Sequence, residues 1–229
     1  MSTNYIVQQG DYLSKIARAF GFADYKTIWD APENQKLKDL RKNPNILYPG
    51  DELVIPDKQT REESRPTDKK HKFEVQEDKL MLQIVLLGLD NKPMSDHDCT
   101  LIVETDNQDL TTKSDGALEE EIPPTVANGK LRDKGKPGSG PPTEREIPLK
   151  IGYLHPKDTV SGQVARLNNL GYNAGELPDH PLTNTEADTL GKSSQFLSAV
   201  EEFQCDFGLQ VDGICGKNTQ TKLVEIHGC

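Results

Sequence analysis

Residues 203–223 constrain this 229-residue chain more than any other stretch, because a helix end, a glycine turn and a new helix start succeed one another directly. Upstream, Phe196, Val200, Phe203 and Phe207 recur at helical spacing and make one apolar stripe, on a helix that Gly208 can end in a left-handed cap conformation. Asp212-Gly213 then turns the chain, and Asn218 or Thr219 can cap a last helix whose Leu223 and Ile226 point the same way. A further helical pattern at 160–172 puts Val164, Leu167 and Leu170 on one face before Leu170-Gly171-Tyr172. These segments predict a small helical bundle, interrupted by an insert at 176–192.

Composition sets the scale of the rest. Only 34% of residues are hydrophobic, so several small cores are expected rather than one large one. No apolar run approaches the roughly 20 residues that span a bilayer, and the longest, 80–89, reads as a strand. A formal charge of -10 argues against nucleic acid, which is held by Lys and Arg, and disfavours anionic membrane surfaces. The expectation is therefore no nucleic-acid partner and no membrane insertion. The opening residues show no basic segment followed by an apolar core, which predicts synthesis in the cytoplasm without a signal peptide.

Taken in order, residues 1–57 read as a strand-helix-helix-strand unit. Asp11 is the expected cap of a helix carrying Leu13, Ile16, Ala17 and Phe20, with Gly21 as its stop. Pro32 permits a fresh helix start, Pro44 blocks its continuation, and Pro49-Gly50 turns into the last strand. Residues 58–72 are almost all charged or polar and read as a flexible linker, which predicts a loosely tethered first module. Residues 73–155 read as an antiparallel β-sandwich with strands at 80–89, 99–104, 118–122 and 147–154, and with a mobile or partner-contacting loop at 126–143. Residues 156–229 form the helical domain, joined stiffly to the sandwich.

A search for catalytic chemistry yields little. The five histidines are scattered without metal-ligand spacing, and Glu119-Glu120-Glu121 point to alternate faces of a strand. Neither a catalytic residue, a metal site nor a cofactor is expected. Of four cysteines, Cys99 reads as a buried thiol. A bridge in the helical domain would join Cys205 to Cys215 or Cys229, because a helix between Cys215 and Cys229 would carry them out of reach; reduced thiols are the alternative.

Three resemblances add to this reading. Tyr5-x-Val7-x-x-Gly10-Asp11-x-Leu13-x-x-Ile16-Ala17, with Pro49-Gly50-Asp51-x-Leu53-x-Ile55-Pro56, resembles a LysM domain, although residues 29–45 are longer than usual there. The resemblance implies a glycan groove between Gly10, Asp11, Tyr12 and Leu13 on one side and Asn45, Ile46, Leu47 and Tyr48 on the other. Phe203-Gln204, Gly208-Leu209, Val211-Asp212-Gly213, Gly216 and Thr219 resemble the second half of a three-helix peptidoglycan-binding domain, implying a shallow surface near Tyr172, Gln204, Asp212 and Thr219. The middle domain resembles transthyretin-like or immunoglobulin-like modules through a Thr-x-x-Asp-Gly hairpin at 112–116. The run 147–172 resembles proteins encoded beside type VI spike components, machines assembled in the cytoplasm that could deliver such a chain to the periplasm or outside. The expectation is a multidomain α+β protein that binds peptidoglycan glycan strands without catalysis, as an accessory of a contractile injection spike. The alternative is a structural adaptor whose modules bind spike or baseplate protein.

Overall fold

The computed structural model describes residues 2–58, 67–70, 72, 80–88, 90–138 and 144–229. The expected linker at 59–66 and 71, the sandwich's first residues at 73–79 and the loop tip at 139–143 lie outside the described residues. The chain forms two compact units: Met1–Asn4, Tyr12–Gln35 and Val54–Ile151 make one, and Tyr5–Asp11, Lys36–Leu53 and Gly152–Cys229 make the other. The first module's segments are divided, some grouping with the β-strands of the middle region and the others with the C-terminal helices.

The N-terminal elements are β1 (Thr3–Ile6), α1 (Leu13–Ala19), α2 (Lys26–Trp29), a 3-10 turn (Pro32–Asn34), α3 (Gln35–Arg41) and β2 (Glu52–Ile55). β1 and β2 pair in a two-stranded sheet. α1 buries Leu13, Ile16 and Ala17 and ends as its sequence predicts, with Gly21 at φ 72 and the Phe22 amide donating to Ala17 O at 2.8 Å. Its N-cap is Tyr12, which offers no capping oxygen, so Asp11 does not cap it. Asn34, 2% exposed, pins this region: its amide donates to Ile28 O (2.8 Å) and Val54 O (2.7 Å), and its Oδ1 accepts from Val54 N (2.8 Å). The side chain bonds the strand as a neighbouring backbone would.

The middle of the chain contains β3 (Leu80–Val85), β4 (Asp98–Val103), β5 (Asp106–Thr111), β6 (Ala117–Ile122), β7 (Asn128–Gly135) and β8 (Arg145–Lys150). β3 pairs with β6, and a four-stranded sheet runs β5-β4-β7-β8, with every pairing antiparallel. Leu86, Cys99, Leu101, Val103, Leu118, Ile122, Val126 and Leu131 form the core. Two expectations are corrected. The supposed loop at 126–143 contains β7, an inner strand flanked on both sides, held by Leu131 inward and by ionic pairs from Arg132 to Glu146 (2.9 Å) and Lys134 to Asp109 (2.9 Å) outward. The Thr112–Gly116 turn is not a hairpin but carries the chain from β5 in one sheet to β6 in the other.

The helical domain holds α4 (Val160–Asn169), α5 (Asn184–Gly191), α6 (Ser194–Asp206) and α7 (Lys217–His227). Val164, Leu167, Tyr172, Ala174, Phe196, Ala199, Val200, Phe203 and Leu223 fill its core. α4 leaves through Gly171 at φ 92, and α6 through Gly208 at φ 64, both at their expected glycines. The insert contributes a fourth helix, α5, which buries no residue and stands on a capping box between Thr183 and Glu186. α7 starts at Lys217 behind Gly216, so neither Asn218 nor Thr219 is its cap. All four cysteines are free thiols, as in the reduced alternative to a bridge: Cys205 is exposed, and Cys215 and Cys229 are half-buried.

Candidate functional site

Two turns of the same construction stand side by side in the N-terminal region. In the first, Asp11 N donates to Gln8 O (3.1 Å) while Asp11 Oδ2 accepts from Gln8 N (2.9 Å), with Gly10 between them at φ 79. In the second, Asp51 N donates to Tyr48 O (2.9 Å) and Asp51 Oδ2 accepts from Tyr48 N (2.9 Å), around Gly50 at φ 97. Each turn needs its glycine for the left-handed angle and its aspartate for a carboxylate that folds back three residues. Val7 ties them together, donating to Asp51 O and accepting from Gly50 N, both at 2.9 Å. Tyr5 Oη donates to Asp11 Oδ2 (2.6 Å), and Arg41 grips Asp51 through two 2.8 Å bonds while lying over the Tyr48 ring. Hydrogen bonding to Asp51 raises the already high pKa of Arg41, so its charge is permanent. The sequence carries the signal for this pairing: Gly-Asp-x-Leu occurs at 10–13 and again at 50–53.

Burial sorts the predicted groove residues. Gly10, Asp11, Tyr12, Leu13 and Leu47 are buried, Ile46 and Tyr48 are half-buried, and Asn45 is exposed. Tyr12 is 1% exposed and its hydroxyl donates to Val126 O at 2.8 Å; burial pushes it up to about 12, so it stays a neutral donor. These assignments leave the turn backbones, Asn45, Ile46 and Tyr48 as the parts able to meet a ligand.

A short segment outside the groove residues expected from sequence packs onto the paired turns. A Cβ on Gly10 would lie 3.0 Å from the Tyr153 ring, so the bare glycine lets that ring close on the backbone. His155 Nε2 lies 3.1 Å from Gln9 Oε1, and the His155 ring meets Tyr48 edge-on, with centroids 5.1 Å apart. From behind, His155 Nδ1 is 2.7 Å from Ser161 Oγ, and its carbonyl accepts from Arg166 at 2.8 Å. Burial, helped by the Arg166 and Arg41 charges, drives the His155 pKa down to about 4, so the ring is neutral at ordinary pH.

In the helical domain, Gln204 organises the surface predicted from sequence. It is 1% exposed, and its amide nitrogen lies within donating reach of Asp212 Oδ1 (2.9 Å), Ile214 O (3.0 Å) and Thr219 Oγ1 (3.0 Å). Its Oε1 accepts from Asp212 N (3.0 Å) and Gly213 N (3.1 Å). Gln204 and buried Thr219 therefore shape the 211–214 turn from within. That turn leaves Val211, 54% exposed, and Ile214, 66% exposed, in solvent beside Asp212. Tyr172 belongs to the core: its hydroxyl donates to Asp206 Oδ2 at 2.7 Å and its ring meets Phe203 edge-on. Sequence reasoning misses the exposed pair Val211 and Ile214 because apolar residues flanking a turn read as packing.

The thiol–imidazole pair of Cys229 and His227 is not armed. Cys229 Sγ lies 3.3 Å from His227 Nδ1, but burial raises the thiol and lowers the imidazole to about 4, so both are neutral. Cys99 is pushed up to about 11 by burial. Among the described residues, no group of three or more His, Cys, Asp or Glu gathers to hold a metal, and no helix is long and apolar enough to cross a membrane.

Comparison with known families bears on both ends of the chain. Residues 5–38 match the family described as "LysM domain", and residues 160–223 match PG_binding_1, the "Putative peptidoglycan binding domain". The chain carries both domains. The LysM match covers the first turn, α1, α2 and most of α3 and stops before the second turn, after the start of the long 29–45 segment. The PG_binding_1 match runs through the insert and includes α5. No curated protein matches the chain, and no solved structure matches it. Both domains are of wall-binding kinds and support peptidoglycan binding.

Proposed function

We propose that this protein binds peptidoglycan glycan strands and does not cleave them, with one glycan contact on the paired turns of the LysM domain and another around the 211–214 turn. The observation that carries the reading is the presence of a wall-binding domain at each end of one chain. The chemistry fits. Neutral sugars are held by backbone amides, amide side chains and apolar or aromatic surfaces, and the turns offer these through Gln9, Asn45, Ile46 and Tyr48, the second site through Val211, Asp212 and Ile214. Two weak sites on one chain gain through effective concentration.

The finer reading makes the protein an accessory of a contractile injection spike, delivered across the envelope by that machine. It rests on the resemblance of residues 147–172. A second reading, in which the domains act as spike or baseplate adaptors, draws on the LysM turns' engagement of Tyr153 and His155, which are protein side chains. Cosedimentation of the intact protein with purified sacculi separates these. Pelleting without release of muropeptides is expected, whereas a protein that stays in the supernatant overturns glycan binding, and soluble muropeptides overturn the non-catalytic assignment.

A further inference from the structure

The paired turns are not open. The side chains that flank them, Gln9 and Tyr48, both meet His155, and Gly10 lies under the ring of Tyr153. The contacts are those a sugar would use: a flat ring against backbone, an amide hydrogen bond and an aromatic edge. We propose that residues 152–155 are an intramolecular plug, occupying the glycan site of the LysM domain in the free protein and leaving it when glycan binds. This inference rests on the proposed glycan-binding role of the turns.

Three features make the segment a plug rather than ordinary packing. It lies outside helices and strands, so no ladder of backbone bonds has to break for it to move. The turns it covers close on their own hydrogen bonds through Asp11 and Asp51, so their shape does not depend on it. It is also delivered by a fixed support. Thr159 caps α4 by accepting from Gly162 N at 3.1 Å, Ser161 holds the His155 ring, and Arg166 holds the His155 carbonyl, so the C-terminal domain presents the segment to the LysM turns. Glycan at the turns and the seated segment therefore exclude each other.

The test is titration of the full chain with the tetramer of N-acetylglucosamine, read by NMR shifts of the Gln9 and Tyr48 amides. Compared are the native protein, Tyr153→Ala, Tyr153→Phe and the double variant Tyr153→Ala/His155→Ala. Tyr153 is half-buried and outside regular structure, so its single variants keep the domain cores. Tyr153→Ala is expected to bind the tetramer at least about ten-fold more tightly than the native chain, the double variant more tightly still, and Tyr153→Phe like the native chain. Equal affinity across the series overturns the plug while leaving glycan binding standing. Tetramer shifts in no form, with all forms pelleting on sacculi, overturn both the plug and the LysM contact. Pelleting in no form removes the functional reading itself.

Discussion

Gly162 sits in the first turn of α4, where helix propensity says alanine should be better by about 1 kcal/mol. The structure reverses that sign. A Cβ there would lie 2.1 Å from Pro156 O and 2.6 Å from His155 O, both backbone atoms, so rotamer change gives no relief. The 155–156 backbone must retreat by on the order of 1 Å, and overpacking of this kind costs about 1–3 kcal/mol. It also withdraws the His155 carbonyl from Arg166, a guanidinium 1% exposed, whose NH1 bonds to His155 O at 2.8 Å and Gly162 O at 2.7 Å. A weakened bond to a buried charge adds about 1.5–3 kcal/mol. Less the propensity gain, Gly162→Ala should destabilise by about 1.5–5 kcal/mol, a large share of a domain's usual 5–15 kcal/mol. Urea unfolding gives the value from the midpoint at unchanged slope. Gly191→Ala, at the end of α5, is the control: its Cβ would meet only the Val160 methyls, at 3.3 Å and beyond, so it should be neutral or stabilise by up to about 1 kcal/mol. A Gly162→Ala protein as stable as the parent refutes this account of the α4 start.

Two further outcomes are expected. Asn34→Asp keeps the shape but loses the two donations to Ile28 O and Val54 O and buries a charge, and should lower stability by about 3 kcal/mol or more in thermal or urea unfolding. His155, held down to about 4, contributes stability that is complete above its unfolded value near 6.5 and is lost as pH falls towards 4, by up to about 3 kcal/mol; a His155→Gln protein should show a shallower loss of urea midpoint between pH 7 and 4.5, and an unchanged slope would contradict the burial argument.

Features set by local physics were legible in the sequence, and features imposed from a distance were not. Gly21, Gly171 and Gly208 end their helices at the expected places because a left-handed cap needs only the glycine and the preceding turn. The stripe Phe196, Val200 and Phe203 was readable because it repeats within one helix. β5 and β7 were not, since Asp-Asn-Gln-Asp-Leu-Thr and Asn-Gly-Lys-Leu-Arg-Asp-Lys-Gly each hold one large apolar residue, and their strand state is imposed by neighbours. Gln204 and Asp11 show the same limit at the candidate sites. A buried amide and a clamped carboxylate look like binding groups in sequence, and only their partners in space reveal that they hold a turn's shape. Tyr153 and His155 stand far from the LysM turns in the chain, so nothing local could connect them.

The construction of the turns also bears on how a plug could yield to a weak ligand. Because Asp11 and Asp51 close the turns internally, opening exposes a site already in its binding shape, and the ligand bears no cost of ordering it. Opening gives up at least one aromatic edge contact, about 0.5–1.5 kcal/mol, the hydrogen bond of His155 to Gln9, about 0.5–1.5 kcal/mol, and the burial of the Tyr153 ring on Gly10, and it stays this small only where His155 keeps its Ser161 and Arg166 bonds as Tyr153 swings out. A gap of a few kcal/mol keeps an open form populated at roughly 0.1–10%, and a single sugar contact is weakened by that fraction. If the proposed glycan contacts and plug both hold, a polymer held at the same time by the PG_binding_1 domain would raise the local glycan concentration at the turns and offset that penalty, so intact strands should open the plug at concentrations where fragments do not.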